Sequence, residues 1–142
     1  MNEFSVREAA VLLGVSDDTV RRWADNGRLR IGKGASGRQV IAGIELVPLL
    51  TELAAESPLA ATFPTARAST RNRFTGIVTA VQRDGVMAQV ELQAGPFRVV
   101  SLMSREAADE LGLEPGVLAS ASAKATVVTI EAPLGRTPES NS

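Results

Sequence analysis

The 142-residue sequence contains no cysteine, no histidine and no tyrosine. Without cysteine there is no disulfide and no thiol nucleophile, and without cysteine and histidine a zinc finger lacks its usual ligands. The absence of histidine also removes the commonest general base. No nucleophile–base pair, metal cluster or phosphate-cradling loop takes their place. We therefore expect a binding protein and not an enzyme, with no catalytic residues.

Long apolar runs are also missing, and no stretch is long enough to span a bilayer. The chain begins with the polar residues Met-Asn-Glu and not with a signal peptide. Its formal net charge is −1, so the molecule as a whole is not a basic coat for nucleic acid. We expect a cytoplasmic protein without a membrane partner, long enough for one domain or two small ones.

The stretch from Ser16 to Arg38 combines a short helix and a hairpin with concentrated positive charge. Ser16 is a good N-cap, and Val20 and Trp23 share one apolar face at helical spacing, so we expect both in the core. Gly27 ends this helix, and alternating residues around a glycine-rich turn then predict a β-hairpin. Such a surface suits a major groove and its phosphates. Between positions 19 and 40, six basic residues and one acid give a local balance of +5: Arg21, Arg22, Asp25, Arg28, Arg30, Lys33 and Arg38.

The residues before this stretch predict another helix and complete a helix-turn-helix. Ser5 and Glu8 have the spacing of a capping box, and Phe4 is placed to act as a hydrophobic staple. Gly14 and Val15 form the short turn between the two helices.

A further helix is predicted after the hairpin, from Ile44 to about Ala55, because apolar residues recur there at helical spacing. Pro48 is expected in its first turn, since a proline further inside would interrupt the helical hydrogen bonds. We expect this helix to close a small core, and its apolar character leaves pairing with a second copy open.

Residues 3–55 resemble the winged helix-turn-helix domains of the MerR/excisionase type. The matching residues are Ser5–Ala10, Leu13–Ser16, Thr19–Trp23, Gly27–Leu29 and Arg38. The resemblance implies a DNA-binding domain over residues 1–56, with residues 16–25 in the major groove of double-stranded DNA and the hairpin on its backbone. The alternative for the helix arginines is a solvated face. The implied DNA contacts are Ser16, Thr19, Arg21, Arg22, Arg28, Lys33 and Arg38.

Residues 57–68 are rich in proline, alanine, serine and threonine and predict a linker. The pattern then changes from helical to alternating, and turn signals divide it into five strands, of which the last is Ala125–Ile130. A short helix, Arg105–Leu111, is capped by Ser104. We therefore predict an α+β chain of two small domains. The second is a five-stranded antiparallel OB-like β-barrel over residues 69–132, followed by a disordered tail at 133–142.

This second part is similar to the molybdate-binding Mop/TOBE family. The similarity is carried by Ser69–Phe74 with Gly76, Gly85–Val90, Ser104–Leu113 and Lys124–Thr126. Members of the family bind molybdate or tungstate between subunits that exchange strands, and they assemble as dimers or hexamers. The similarity implies a homo-oligomer, a dimer or a trimer of dimers, formed through this domain. Its ligand would be the oxyanion, with no metal cation.

The residues can also be judged by the chemistry of such a ligand. Molybdate is a tetrahedral dianion whose oxygens only accept hydrogen bonds, so its site needs hydroxyls, amides and cations and no nearby carboxylate. Ser69 and Arg71 offer a hydroxyl and a guanidinium on one side of an extended chain, and Lys124 offers a cation near the last strand. On spacing alone, the arginine could equally form a surface ion pair and the lysine could be merely exposed.

The family's ligand positions correspond to Ser69, Thr70, Arg71, Ser104, Lys124, Ala125 and Thr126. Two positions depart from the family: Thr70 replaces a usual alanine, and Ala107 stands where a second hydroxyl is frequent. A ligand oxygen left without a donor weakens a site by roughly 1–3 kcal/mol.

The two resemblances together predict a molybdate- or tungstate-responsive DNA-binding transcriptional regulator. The alternative is an intracellular molybdate store whose first domain does not bind DNA.

Overall fold

The computed structural model describes residues 2–64 and 69–133. The chain divides into two compact units, one formed by Met1–Ser57 and the other by Pro58–Ile130. Each unit has its own hydrophobic core. None of the helices in the described part of the chain has the length and apolar character needed to cross a membrane.

The first unit begins with two capped helices, α1 (Val6–Leu13) and α2 (Asp17–Asp25). The Ser5 hydroxyl accepts from the Glu8 amide at 3.1 Å, and the Glu8 carboxylate accepts from the Ser5 amide at 2.9 Å, so the predicted capping box is confirmed. Gly14 ends α1 in the left-handed region, with φ of 72°. The helix-turn-helix is therefore present as predicted.

The predicted hairpin forms part of a small sheet of three strands, β1 (Glu3–Phe4), β2 (Gly32–Lys33) and β3 (Gln39–Ala42). Their order is β1-β3-β2, and both pairings are antiparallel. The hairpin strand starts later than the alternation around Leu29 indicated, because Leu29 is buried in the core. The edge strand β1 was not predicted, since its two residues pair only through tertiary structure.

The helix α3 (Gly43–Glu56) follows β3, as predicted. The expected place of Pro48 in the first turn was wrong, because it lies inside the helix. There its nitrogen cannot donate to the carbonyl of Ile44, four residues earlier. A short helix, α4 (Leu59–Thr62), lies within the predicted linker.

The core of the first unit is made by all of its helices together with the hairpin. Val20 and Trp23 belong to it, as the spacing predicted. The buried members are Val6, Ala9, Ala10, Leu13, Val20, Trp23, Leu29, Ile41, Leu46 and Leu49.

After α4, the second unit is a curled antiparallel sheet with a further short helix. Its elements are β4 (Asn72–Asp84), β5 (Met87–Ala94), β6 (Phe97–Ser104), α5 (Arg105–Glu110) and β7 (Leu118–Ala123). The strand order is β6-β5-β4-β7. The register shifts between Val78 and Ala80, which marks a bulge that bends the long strand β4.

The predicted fold class is confirmed, an α+β chain with a helix-turn-helix and an OB-type antiparallel sheet, but the sheet holds four strands and not five. The predicted strand Ala125–Ile130 was wrong: Ala125–Val127 is a 3₁₀ turn, and Val127 and Ile130 are 72% and 88% exposed. A strand needs a neighbouring edge to pair with, and no such pairing forms within the described residues. The predicted tail at 133–142 lies outside the described residues beyond position 133.

Arg83 fastens α5 and the following loop to the sheet. Its guanidinium lies 3.0 Å from the Asp109 carboxylate and 2.9 Å from that of Glu114, and it also donates to the Leu113 carbonyl at 3.3 Å. The hydrogen bond to Asp109 is the main reason why the pKa of Arg83 is raised. In the segment that Arg83 holds to the sheet, Ala108 and Leu113 pack into the core of the second unit.

Gly76 in β4 is required by a close backbone approach. A Cβ atom added there would lie 2.0 Å from the carbonyl oxygen of Gln93. We expect Gly76→Ala to lower the free energy of unfolding of the second unit by at least about 2 kcal/mol, because backbone atoms cannot move aside cheaply. Gly32→Ala is the control, since its nearest atom is 4.0 Å away. Urea unfolding of the full chain tests this, and an unchanged midpoint for Gly76→Ala would contradict it.

Candidate functional sites

The exposed side of α2 carries two arginines that are free to meet a partner. Val20 and Trp23 turn into the core, which leaves Arg21 and Arg22 on the exposed side of the helix. Among the described residues neither arginine has an ion-pair partner. Their guanidinium groups are therefore available for phosphates or base edges.

The two hydroxyl residues predicted to contact DNA hold the start of α2. The Ser16 hydroxyl accepts from the Thr19 amide at 3.1 Å, and the two hydroxyl oxygens are 2.9 Å apart. Asp17 beside them forms an ion pair with Arg7 of α1 at 3.2 Å. Sequence reasoning missed this pair, which joins residues ten positions apart and partly neutralises the acid on the exposed end of α2.

Arg28 has a structural role that its sequence context did not reveal. Its guanidinium lies 4.8 Å from the centre of the Trp23 ring and 2.9 Å from the Glu52 carboxylate of α3. It thereby connects the end of α2 to α3. The implied DNA contact of Arg28 stays a prediction, because its side chain is still 44% exposed.

The hairpin and the end of α2 enclose an open groove of about 780 Å³. Arg28, Arg30 and Lys33 line it, together with the acids Asp25 and Glu45. Arg30 was counted in the basic segment but was not among the implied DNA contacts.

Arg38, at the turn of the hairpin, is exposed. Its backbone carbonyl accepts a hydrogen bond from the Gly34 amide at 2.7 Å. The backbone bond fixes the turn, and the Arg38 side chain is left on its surface.

The predicted oxyanion residues are brought together by the pairing of β4 with β7. Asn72 is opposite Ala123 at the end of this ladder, and the Asn72 side chain donates through Nδ2 to the Ala123 carbonyl at 3.1 Å. Arg71 and Lys124 follow immediately beyond this pair, so the two cations stand at the same end of the sheet. Ser69 and Thr70 precede the arginine on the same segment.

The 3₁₀ turn after Lys124 presents backbone donors at the same end. Val127 and Val128 donate to the carbonyls of Lys124 and Ala125 at 3.0 and 3.3 Å. The first amides of a helical turn have no acceptor inside it, so those of Ala125 and Thr126 have none within this turn. No acidic residue occurs within positions 69–73 or 122–130, whereas Arg71, Arg73 and Lys124 do.

Ser104 is the one predicted ligand that lies elsewhere. It pairs with Met87, which in turn pairs with Asp84, the last residue of β4. Asp84 and Asn72 are at opposite ends of a 13-residue strand, roughly 40 Å apart along it. The Ser104 hydroxyl accepts from the Ala107 amide at 3.1 Å and so caps α5.

Comparison with known families and structures matches both units. Residues 3–41 match the family described as a helix-turn-helix domain, and residues 68–130 match the family described as a TOBE domain. A search of curated proteins finds no match.

Three solved structures are similar to this chain. MopII from Clostridium pasteurianum, in an apo form, is 34% identical over 46% of this chain and 100% of its own, with a TM-score of 0.44. A molybdate-binding protein from Sporomusa ovata is 24% identical over 47% and 100%, with a TM-score of 0.45. The cytoplasmic molybdate-binding protein ModG, with molybdate bound, is 37% identical over 46% of this chain and 45% of its own, with a TM-score of 0.40.

The structural role of Arg28 can be separated from that of its neighbours. We expect Arg28→Ala to lower the free energy of unfolding of the first unit by about 1 kcal/mol, because it removes the stacking on Trp23 and the partly screened pair with Glu52. Arg30→Ala, which removes an exposed arginine, should leave stability unchanged. Trp23 is the single tryptophan, so its fluorescence during urea unfolding reports this unit. Equal stability of both variants would contradict the assignment.

Proposed function

The chain belongs to the TOBE domain family through residues 68–130 and carries a helix-turn-helix domain at residues 3–41, and from this premise we propose that it is a molybdate- or tungstate-responsive DNA-binding transcriptional regulator. The proposal joins two electropositive sites on one chain. The first unit reads double-stranded DNA through α2 and the hairpin, and the second binds the oxyanion.

The observation that carries the proposal is the donor set at the end of the β4–β7 ladder. Two cations, Arg71 and Lys124, stand there beside hydroxyl residues and the first amides of the 3₁₀ turn, and neither segment contains a carboxylate. A dianion whose oxygens only accept hydrogen bonds requires this combination. Molybdate and tungstate share this charge and shape, and the donor set needs no metal cation.

The complete site is proposed to lie between copies of the chain. Ser104 is at the far end of its own sheet, so it can join the other predicted ligands around one anion only from a second copy. The apolar segment Val127–Ile130 is exposed in the single chain, and among the residues that the structure describes β6 and β7 are edge strands with one side unpaired. Pairing of this segment with the edge of a partner would form the missing fifth strand. We therefore propose a homo-oligomer, a dimer or a trimer of dimers, assembled through the second unit.

An anion held between copies gives the ligand a way to influence DNA binding. A ligand shifts a conformational equilibrium only by its difference in affinity for the two states. Oxyanion bound at the junction favours the arrangement of subunits that completes its site, and this arrangement sets how two helix-turn-helix units are presented to one duplex.

The two lysines of the chain provide matched variants, since Lys33 lies in the hairpin of the first unit and Lys124 beside the proposed oxyanion site. We expect Lys124→Ala to weaken molybdate binding about 10- to 100-fold, because it removes a charged donor, and to leave DNA affinity without molybdate unchanged. Lys33→Ala should weaken DNA binding and leave molybdate binding intact. Calorimetry with molybdate and with tungstate measures the first effect.

Full molybdate affinity in Lys124→Ala would show that the oxyanion site is elsewhere. Circular dichroism and urea unfolding of each lysine variant serve as the folding controls. Sulfate in the calorimeter tests selectivity for the larger oxyanions.

DNA binding is tested with duplexes that the full-length protein selects from a random-sequence pool. We expect Arg21→Ala with Arg22→Ala to weaken binding and to lower the slope of log K against log salt by about 2, because two phosphate contacts are lost. The control is Arg98→Ala with Arg105→Ala, which removes the same charge from the second unit. Gel shifts with and without molybdate then test the response to the ligand.

Equal DNA affinity with and without molybdate would remove the regulatory claim. Binding of several oxyanions per oligomer, together with no retention of DNA even at low salt, would instead favour the alternative of a molybdate store.

A further inference from the structure

Helix α3 is apolar on two opposite sides. Towards the core it buries Leu46 and Leu49, each only 2% exposed. On the side away from the core, Ile44 and Val47 are 75% and 50% exposed, while Leu50, four residues after Leu46 and so beside it at the edge of the core side, is 42% exposed. A helix that carries apolar residues nearly all round is typically buried on all sides, whereas a surface helix has a polar outer face.

The outward face of α3 is continuous and uncharged. Positions 44, 47 and 51 follow the spacing i, i+3, i+7 and therefore lie in one row. The Thr51 hydroxyl donates to the carbonyls of Val47 and Pro48 at 3.2 and 3.0 Å, so its donor is satisfied within the helix. All members of this face are exposed: Ile44, Val47, Pro48, Thr51, Ala54 and Ala55.

The charged residues of α3 are confined to one flank. Glu45, Glu52 and Glu56 follow the spacing i, i+7, i+11 and so lie in a row of their own, well away from Val47. The helix contains no basic residue, so its outward face offers no cation to an anionic lipid surface or a nucleic acid. A partner with complementary charge has nothing to pair with on the outward face.

We propose that the outward face of α3 is the contact between two copies of the first unit, packed as an antiparallel helix pair about a twofold axis. A second copy brings the same uncharged surface, so both helices bury apolar side chains and neither buries a charge. The acidic flanks of the two helices remain in solvent.

The size of the face indicates when this contact forms. Its two large apolar side chains, Ile44 and Val47, expose together roughly 200 Å², which is no more than a single apolar patch on a typical monomer. A stable interface between free proteins needs about 800 Å² from each partner. The contact is therefore too small to hold isolated first units together. It forms where another part of the chain holds two copies at an effective concentration in the millimolar range.

The inference rests on the proposed function in one respect, namely assembly through the second unit. A twofold α3 pair would fix the distance between the two α2 helices, and hence the spacing of the half-sites that a dimer reads. The uncharged face thus determines the half-site spacing without contacting DNA.

The absence of cysteine from the chain allows a direct test with single cysteines in the full-length protein. Val47→Cys and Thr51→Cys place a thiol on the outward face, and Glu56→Cys places one on the acidic flank of the same helix. Each variant is oxidised with copper–phenanthroline, and disulfide-linked dimers are counted on non-reducing gels. Light scattering of the reduced proteins gives the assembly state.

We expect at least one of the two outward-face cysteines to form dimers several-fold faster than Glu56→Cys. The rate should not change when the protein is diluted about a hundredfold, because the two helices belong to one assembly. A Val47→Glu substitution combined with Thr51→Cys should abolish the fast reaction and leave the assembly state unchanged.

Two results would overturn the inference and can be told apart. An assembled protein that crosslinks equally at all three positions, or at none of them, excludes the α3 pair but leaves assembly through the second unit intact. If none of the three positions crosslinks, slow labelling of the outward-face thiols by a maleimide would show that another part of the chain covers them. A monomeric protein without crosslinks contradicts both the α3 pair and the proposed assembly.

Discussion

The antiparallel pairing of β4 with β7 is the constraint on which the proposed ligand chemistry depends. It joins segments 51 residues apart and places Arg71 and Lys124 directly beyond its last residue pair. The bend at the bulge and the absence of a side chain at Gly76 let β4 curl and approach β5 closely. Two cations without a carboxylate between them repel one another. The backbone ladder and the Asn72 side-chain hydrogen bond hold this end of the sheet together, and an anion bound there would neutralise the repulsion.

Arginines in this chain divide into those that hold the structure and those that are left for a partner. Arg83 ties a helix to the sheet, and Arg28 links α2 to α3 through Trp23 and Glu52. Arg21 and Arg22 have no such partners among the described residues and stay on the exposed side of α2. Charge that is already paired contributes little to phosphate binding, so a count of basic residues overstates the DNA-binding surface.

Within the described part of the chain, each unit has an apolar feature that is left exposed. In the second unit the exposed segment after β7 lacks a strand to pair with, and in the first unit α3 presents an uncharged outward face. Both would be covered by further copies of the same chain. A small unit buries only a limited fraction of its surface on folding, so association of several copies covers apolar surface that folding leaves exposed. In this view the sheet assembles the protein, and the α3 pair orients its DNA-binding units.

The sequence alone determined the local elements, because caps, turns and apolar periodicity act over three or four residues. The capping box at Ser5, the helix-turn-helix and the hairpins were predictable for this reason. The resemblance of each segment to a known family also identified the type of each unit. Only the tertiary structure decided which distant residues meet. It paired Arg28 with Glu52 and placed Ser104 and Lys124 at opposite ends of the sheet. It also left Ala125–Ile130 without a paired strand among the described residues. Register and edge pairing depend on contacts far apart in the chain, and no local spacing encodes them.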